Sequence, residues 1–376
     1  LAGGLGALEV MVNADDAMPR ARFWAGRRVF LTGHTGFKGT WLSIWLQRMG
    51  AEVTGYALAP DSTPAMFALA RAAEGMTSLI GDVRDAAQLA GALQAAAPEV
   101  VIHMAAQPLV RQSYADPVGT YSTNVMGTVH LLEAVRRSPS VRAVVVVTSD
   151  KCYENREWLW GYREEDALGG FDPYSNSKAC TELVAGSYRD SFFPPEKYGS
   201  HGVAMASARA GNVIGGGDWS SDRLIPDFLR AASQGGPLEL RNPDAIRPWQ
   251  HVLEPLAGYL QLAQRLVEQG VAVSGAWNFG PSEQDARSVG DVVRQLAASW
   301  PEPVDCRFAA DAGGPHEARM LRLDSSKARA LLGWTPRWTL AQTLSSIVGW
   351  HAAHRRGEDM RKMTEAQIES YCAAAL

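Results

Sequence analysis

A chain of 376 residues is longer than one hydrophobic core ordinarily serves, so two domains, or one domain with an added lobe, are expected. Its 46% hydrophobic and 20% charged residues are those of an ordinary globular enzyme, and a net charge of −4 excludes a general nucleic-acid binder. Cys152, Cys180, Cys306 and Cys372 are scattered with no CxxC pair, which argues against a disulfide framework or a metal site and for a reducing, cytoplasmic setting.

Residues 1–22 lack the basic start of a secretory signal and read as an extension outside the fold. No apolar stretch is long enough to span a membrane. From Arg27 the pattern alternates. "RRVFLTG" predicts a short buried strand, "GTWLSIWLQRMG" a helix ending on Gly50, and "AEVTGYAL" a second strand. "EVVIHMAA" and "VRAVVVVTS" are further continuous apolar runs, with helical spacing around Ala86–Ala96, Tyr121–Arg136 and Ser177–Tyr188. "VAMASARAGNVIG" predicts a sixth strand and "GAWNFG" a later one. Apolar strands alternating with helices predict an α/β fold, a Rossmann-type doubly wound parallel sheet. After Gly215 turn residues and prolines thicken, which predicts a smaller C-terminal substrate-binding lobe. The boundaries that follow are 23–214 plus 250–282 for the dinucleotide domain, 215–249 plus 283–360 for the lobe, and 361–376 for a C-terminal tail.

"GHTGFKG", from Gly33 through His34, Thr35, Gly36, Phe37 and Lys38 to Gly39, stands between the first strand and its helix. Glycines there permit a tight turn and let the backbone approach a pyrophosphate, toward which the helix points its positive end. Lys38 places a cation within reach of a diphosphate. The acid expected about 20 residues further on for an adenosine ribose is missing until Asp61, and no arginine stands ready for a 2′-phosphate, so NAD is expected over NADP. Asp82, beside Val83 in "GDVRD", is placed to meet the adenine amino group.

"YSNSK" puts Tyr174 and Lys178 four residues apart at the start of a predicted helix, on one face. An ammonium near the phenol favours phenolate, a base for a sugar hydroxyl. "TSDKCYEN" is unusual for the end of a buried strand, since it delivers Asp150 and Lys151 side by side after Thr148 and Ser149.

With these motifs the chain resembles the extended short-chain dehydrogenase/reductase family and, within it, the nucleotide-sugar 4,6-dehydratases. The resemblance runs from about Phe23 to His354 and is carried by "FLTGHTGFKG", "HMAAQPLVRQSY", "TYSTNVMGT", "TSDKCYEN", "DPYSNSKA", "RAGNVIGGGDW", "IRPWQHVLEPL", "WNFGP" and "LGWTPRW". Lys151 and "RPWQHVLEP" point to the branch that takes CDP-glucose. The resemblance implies that Ala105 and Ala106 pass along the dinucleotide and that Asn124 supports the active-site hydrogen bonds. It makes Tyr174 and Lys178 the redox pair, with Thr148 or Ser149 holding the sugar, and places Arg209 to Asn212 on the pocket floor. It assigns Gln107, Asn212, Arg223, Arg241, Arg247, Asn278 and His316 to the substrate. A homodimer packed through the Tyr121–Arg136 and Ser177–Tyr188 helices is implied as well, and a tetramer is compatible with it.

The reaction so implied oxidises C4, removes water across C5 and C6, and returns hydride to C6. An acid and a base near C5 and C6 are what a 4-epimerase of the same fold does without, and Asp150 with Lys151 supply them. Relatives acting on dTDP-glucose carry Asp-Glu here, with the Glu as base, so this sequence departs from the pattern. Either Lys151 is the base with Asp150 the acid, or the two form an ion pair with their roles exchanged; the pair titrates as a unit. By analogy Asp150 is taken as the C6 acid.

Overall fold

Strand β1 (Arg28–Thr32) carries Val29, Phe30 and Leu31, all out of solvent, as a strand packed on both faces must. The computed structural model describes residues 18–240, 242–308 and 319–375. In it β1 is central to a seven-stranded sheet with β2 (Glu52–Ala57), β3 (Thr77–Ile80), β4 (Val100–His103), β5 (Ala143–Val147), β6 (Ala204–Arg209) and β7 (Gly275–Asn278). The order is β7-β6-β5-β4-β1-β2-β3, and every neighbouring pair is parallel. The doubly wound sheet expected from the apolar runs is therefore present. Strand order reverses between β1 and β4, and the crevice at the carboxyl ends there is where such a sheet takes its ligand.

Helices α1 (Phe37–Arg48), α2 (Ala86–Ala96), α3 (Gly127–Arg136), α4 (Pro173–Ser191) and α5 (Leu253–Gln269) cover the sheet. Trp41, Leu42, Leu256 and Leu260 from α1 and α5 close one face over Leu31 and Val145. Leu89, Leu93, Leu131, Leu132 and Ala185 close the other over Phe30 and Val144. Each large side chain so buried contributes about 1.5–3 kcal/mol. The lobe has its own core, in which Phe228, Trp249, Val292 and Leu296 meet Leu340, Leu344 and Ile347 of α6 (Leu340–Arg355).

Three local features differ from the sequence reading. The helix expected over Tyr121–Arg136 is interrupted by a π-helical turn at Ser122–Met126, in which the Gly127 N–H reaches back to the Ser122 carbonyl. The widened turn draws Asn124 inward, where it is 2% exposed. The described part of the expected C-terminal tail is helical and packed: α7 (Met360–Ala373) buries Met360, Ile368 and Tyr371 in the main core, with Tyr371 edge-on to Trp45 of α1. At the other end, Met18 packs on the same core and the Arg20 N–H donates to Gln264 at 3.1 Å, so the described part of the expected extension belongs to the fold.

Candidate active site

The glycine loop is built for close approach. Gly33 has φ +76, and a Cβ there would lie 2.8 Å from the Ala105 nitrogen; on Gly39 it would lie 2.0 Å from the Gly33 carbonyl oxygen. Gly36 opens α1 with no side-chain cap, which leaves the first-turn N–H groups facing the crevice. This uncapped helix end, approached over bare backbone and flanked by Ala105 and Ala106 beyond β4, fits a dinucleotide pyrophosphate.

Not every loop side chain turns toward that crevice. His34 is fully buried, its Nε2 lies 2.7 Å from Ser78 Oγ, and a Cβ on Gly55 would lie 2.3 Å from its ring. Burial lowers it to about 4, so it is a neutral prop beneath the loop and not a phosphate ligand. Thr35 donates to the Leu58 carbonyl at 2.8 Å, tying the loop to the end of β2, and Phe37 packs on the core. Lys38 reaches inward, Nζ 3.2 Å from the Tyr259 hydroxyl and 5.2 Å from that ring's centre. Burial, with Lys178 and Arg223 nearby, lowers it to about 7. Asp82 accepts from the Arg84 guanidinium, which holds its carboxyl below the usual range, and Val83 packs on Gly127.

The catalytic helix has a clear local origin. Asp172 caps α4 by accepting from Ser175 N at 2.9 Å and Ser175 Oγ at 2.6 Å, with Pro173 at the first helical position. That start fixes Tyr174 and Lys178 one turn apart, facing the end of β5. Ser113 accepts from the Tyr174 N–H at 3.1 Å, and Asn124 Nδ2 donates to Ser177 Oγ at 2.8 Å, while Asn124 also brackets the Gln107 backbone. Lys178 donates to the Val147 carbonyl at 3.2 Å. Burial pushes Tyr174 up to about 12, against a lowering hydrogen bond from Ser149, and pulls Lys178 down to about 8, against the raising charge of Glu182. Desolvation of the phenolate therefore outweighs the lowering expected from the spacing alone.

Beyond β5, Ser149 donates to Asp150 Oδ1 at 3.0 Å and accepts from the Lys151 N–H at 3.2 Å. Asp150 is 1% exposed, and its Oδ2 has no hydrogen-bond partner among the described residues. Burial pushes its carboxyl up, opposed by Lys151, Ser149 and Arg247. The oxygen is lodged against Gly211, where a Cβ would lie 1.7 Å away. A buried carboxyl held toward its protonated form, beside a half-buried lysine, can give and take a proton.

The substrate-side residues divide. Arg223, held to Asp218 at 3.1 Å, acts on both Lys38 and Tyr174, and Arg247 acts on Asp150, so these two belong to the crevice. Asn212, at φ +42, lies in the turn between Gly211 and the lobe. Asn278 leaves the substrate set: it is fully buried, donating to the Tyr162 and Asp324 carbonyls and accepting from the Tyr153 hydroxyl. Gln107 leaves it too, its amide spent on Leu109 and Thr120. Arg241 and His316 lie outside the described residues. Among the described residues no cluster of potential ligands could hold a metal ion.

Sequence reasoning missed Glu182, whose carboxylate collects Thr148 Oγ1, Ser207 Oγ and Arg209 Nη2. Its signal was present, since it follows Lys178 at the same four-residue interval. Arg209, expected on the pocket floor, is 3% exposed and bound to Glu182 and the Tyr153 hydroxyl.

The family model described as GDP-mannose 4,6 dehydratase matches residues 30–347. The chain is 56% identical, over 94% of its length and 98% of the relative's, to a CDP-glucose 4,6-dehydratase of Salmonella typhimurium. It is 29% identical, over 73% of its length and 77% of the relative's, to a dTDP-glucose 4,6-dehydratase of Streptomyces griseus. A solved structure of MoeE5 in complex with UDP-glucose and NAD superposes with a TM-score of 0.73 at 25% identity, covering 88% of this chain and 99% of that one. On the extent of these matches and the motifs that carry them, the chain belongs to the GDP-mannose 4,6 dehydratase family of nucleotide-sugar enzymes.

Proposed function

We propose that this protein converts CDP-D-glucose to CDP-4-dehydro-6-deoxy-D-glucose and water, with NAD held along the glycine loop. The observation that carries this reading is the buried Asp150, its Oδ2 without a hydrogen-bond partner among the described residues, beside Lys151 and Ser149, an acid–base group that simple oxidation or epimerisation at C4 does not use. The 56% identity to a CDP-glucose 4,6-dehydratase supports the nucleotide. NAD, when bound, supplies the hydride acceptor for C4 and the hydride donor for C6.

The chain's own groups do the rest. Tyr174 takes the C4 hydroxyl proton, with Lys178 favouring the phenolate and Ser149 orienting the sugar. The C4 ketone acidifies C5, and Asp150 and Lys151 share the elimination: one receives the C5 proton and gives it back to C5 when C6 is reduced, while the other protonates the departing C6 hydroxyl, which leaves as water. Burial of Asp150 toward its protonated form favours it as the acid and Lys151 as the base. Arg223 and Arg247 face the crevice as donors for the sugar-nucleotide diphosphate.

A homodimer is proposed through the helices flanking the π-turn and α4. Val118, Met126 and Leu183 are exposed there, and an apolar groove is lined by Val118, Tyr121, Val125, Met126 and Cys180. The four free cysteines fit a cytoplasmic setting. No described helix is long and apolar enough to cross a membrane.

The test is a product assay with CDP-glucose, dTDP-glucose, UDP-glucose and GDP-mannose, each alone with NAD and read by mass spectrometry. Loss of one water from CDP-glucose alone is the expected result. An isomer of unchanged mass would mean an epimerase and would remove the roles given to Asp150 and Lys151.

A further inference from the structure

A buried polar assembly lies beside the proposed catalytic groups and takes no part in the steps above. Glu182 is its centre. Three elements meet on this one carboxylate: β5 through the Thr148 hydroxyl on Oε1, β6 through Ser207 Oγ at 2.6 Å and Arg209 Nη2 at 2.8 Å on Oε2, and α4, which carries Glu182 itself. The Glu182 and Arg209 side chains are each 3% exposed. Arg209 continues the chain to the Tyr153 hydroxyl at 2.8 Å and the Glu164 carbonyl at 2.9 Å, and Tyr153 to Asn278 at 2.7 Å. Thr148 immediately precedes Ser149, Asp150 and Lys151. Lys178 stands one turn before Glu182 on the same helix face, with its Nζ on the Val147 carbonyl.

We propose that Glu182 is a positioning residue of the reaction. It fixes the strand end bearing Ser149, Asp150 and Lys151 against the helix bearing Tyr174 and Lys178, and it supplies the counter-charge of the Lys178 ammonium. A merely structural ion pair would need only Arg209. Here the carboxylate also holds Thr148, the residue next to the acid–base segment, and sits four residues from the lysine that the tyrosine depends on. The other titratable and charged groups set around Lys178 do not replace it. Lys38 from α1, lowered to about 7 by burial, offers no negative charge and repels it where protonated; His103 at the end of β4 is neutral between Thr32 and Thr128; Cys152 is buried and held as the thiol; Arg209 is already spent on Glu182. Tyr174 is the group being served. Glu182 is also the leading influence opposing the fall that burial imposes on Lys178.

This inference rests on the redox roles given to Tyr174 and Lys178. The experiment compares pH profiles of CDP-glucose dehydration for the parent, Glu182→Gln, Glu182→Asp and Ser207→Ala, with NAD affinity measured separately by calorimetry. Glu182→Gln removes the charge, so the alkaline limb is expected to move down by about one pH unit while NAD affinity stays within about threefold. Ser207→Ala removes a hydrogen bond but no charge and leaves the limb in place. Glu182→Asp restores the charge with a shorter reach, so the limb returns to the parent position even where kcat stays low. Because Glu182→Gln leaves Arg209 buried and unpaired, the double variant E182Q/R209M is measured alongside it, with a shift in the same direction expected. Profiles of the charge-free variants that run parallel to the parent's would overturn the proposal, as would a displaced limb in Glu182→Asp. A parent that fails to release water from CDP-glucose would instead overturn the reaction itself, so the two failures are distinct.

Discussion

Replacing Asp150 with Asn keeps the shape of the side chain and removes its exchangeable acid. The carboxyl is 1% exposed, takes one hydrogen bond from Ser149 and leaves Oδ2 unmatched against Gly211, so the amide fits without rearrangement. A positioned general acid is worth about 10²–10⁴ in rate, or about 3–5 kcal/mol of barrier. The Ser149 hydroxyl at 3.0 Å and the neighbouring Lys151 still offer protons, which places the loss nearer 10²–10³. Tyr174 and Lys178 are untouched, so oxidation at C4 proceeds and reduced nicotinamide accumulates on the enzyme. Stopped-flow absorbance of the reduced cofactor, with mass spectrometry of quenched product, separates the two half-reactions. Turnover of Asp150→Asn within about threefold of the parent would refute the assignment.

The same substitution carries a stability signature of known sign. Burial raises the Asp150 carboxyl above its unfolded value, so the folded chain prefers it protonated. Its contribution is fully present below the ordinary carboxylate range and is lost as pH rises through the raised value. Asp150→Asn should therefore melt above the parent at about pH 8 and no higher than it at about pH 4. Equal melting temperatures at both pH values would mean that the carboxyl is not strained by its site.

Four further outcomes are expected. Lys151→Met should block elimination while leaving C4 oxidation, seen again as accumulated reduced cofactor; normal turnover would remove Lys151 from catalysis. Gly211→Ala would set a methyl group 1.7 Å from Asp150 Oδ2, displacing the acid and costing about 10² in kcat with NAD binding intact by calorimetry. Leu183→Glu, at a position 61% exposed on α4, should convert the proposed dimer to monomer in light scattering without lowering helix content by circular dichroism, and a parent that is already a monomer would refute the dimer. Glu254, buried and raised to about 7 from 4.5 chiefly by desolvation, destabilises the fold as pH rises through about 7, by at most about 3 kcal/mol. Glu254→Gln should flatten the fall in melting temperature between about pH 4.5 and pH 7, and an unchanged slope would count against burial as the cause.

The sheet was readable because strands packed on both faces leave only apolar positions. "VVIH" and "AVVVV" have no polar alternation that another arrangement could satisfy, and β4 and β5 are buried throughout. The π-turn was not readable, because the apolar spacing of Tyr121–Arg136 is compatible with an unbroken helix. Asn124 is drawn inward by the Gln107 backbone and Ser177, partners distant in sequence. The polar run "RKMTEAQIES" concealed α7 in the same way: tertiary partners distant in sequence, Trp45 of α1, Trp338 and Glu254, make Tyr371 a core residue. In the glycine loop the backbone role followed from residue type, whereas side-chain direction did not. His34 turns down to Ser78 and Lys38 across to Tyr259, and nothing in "GHTGFKG" distinguishes the two. Asn278 is turned away from the substrate because the loop carrying Tyr153 and Tyr162, together with the Asp324 carbonyl, takes its side chain's hydrogen bonds.

Asp150 and Glu182 are both buried carboxyl groups, and the difference between their surroundings separates the roles proposed for them. Glu182 receives three donors, one of them a guanidinium, and so is an acceptor fixed in place. Asp150 receives one, from a hydroxyl, and its second oxygen has no hydrogen-bond partner among the described residues. A carboxyl starved of donors in a dry site is held toward its protonated form and is ready to release that proton when charge develops on a departing oxygen. Supplying Asp150 with a second donor would make the protein more stable and the acid weaker as a proton source. The glycine at 211 maintains the opposite condition: it lets the oxygen sit against bare backbone that offers it nothing. On the proposed mechanism the orphaned atom serves the elimination step, and the saturated network around Glu182 keeps the strand end in place while that atom stays unsatisfied.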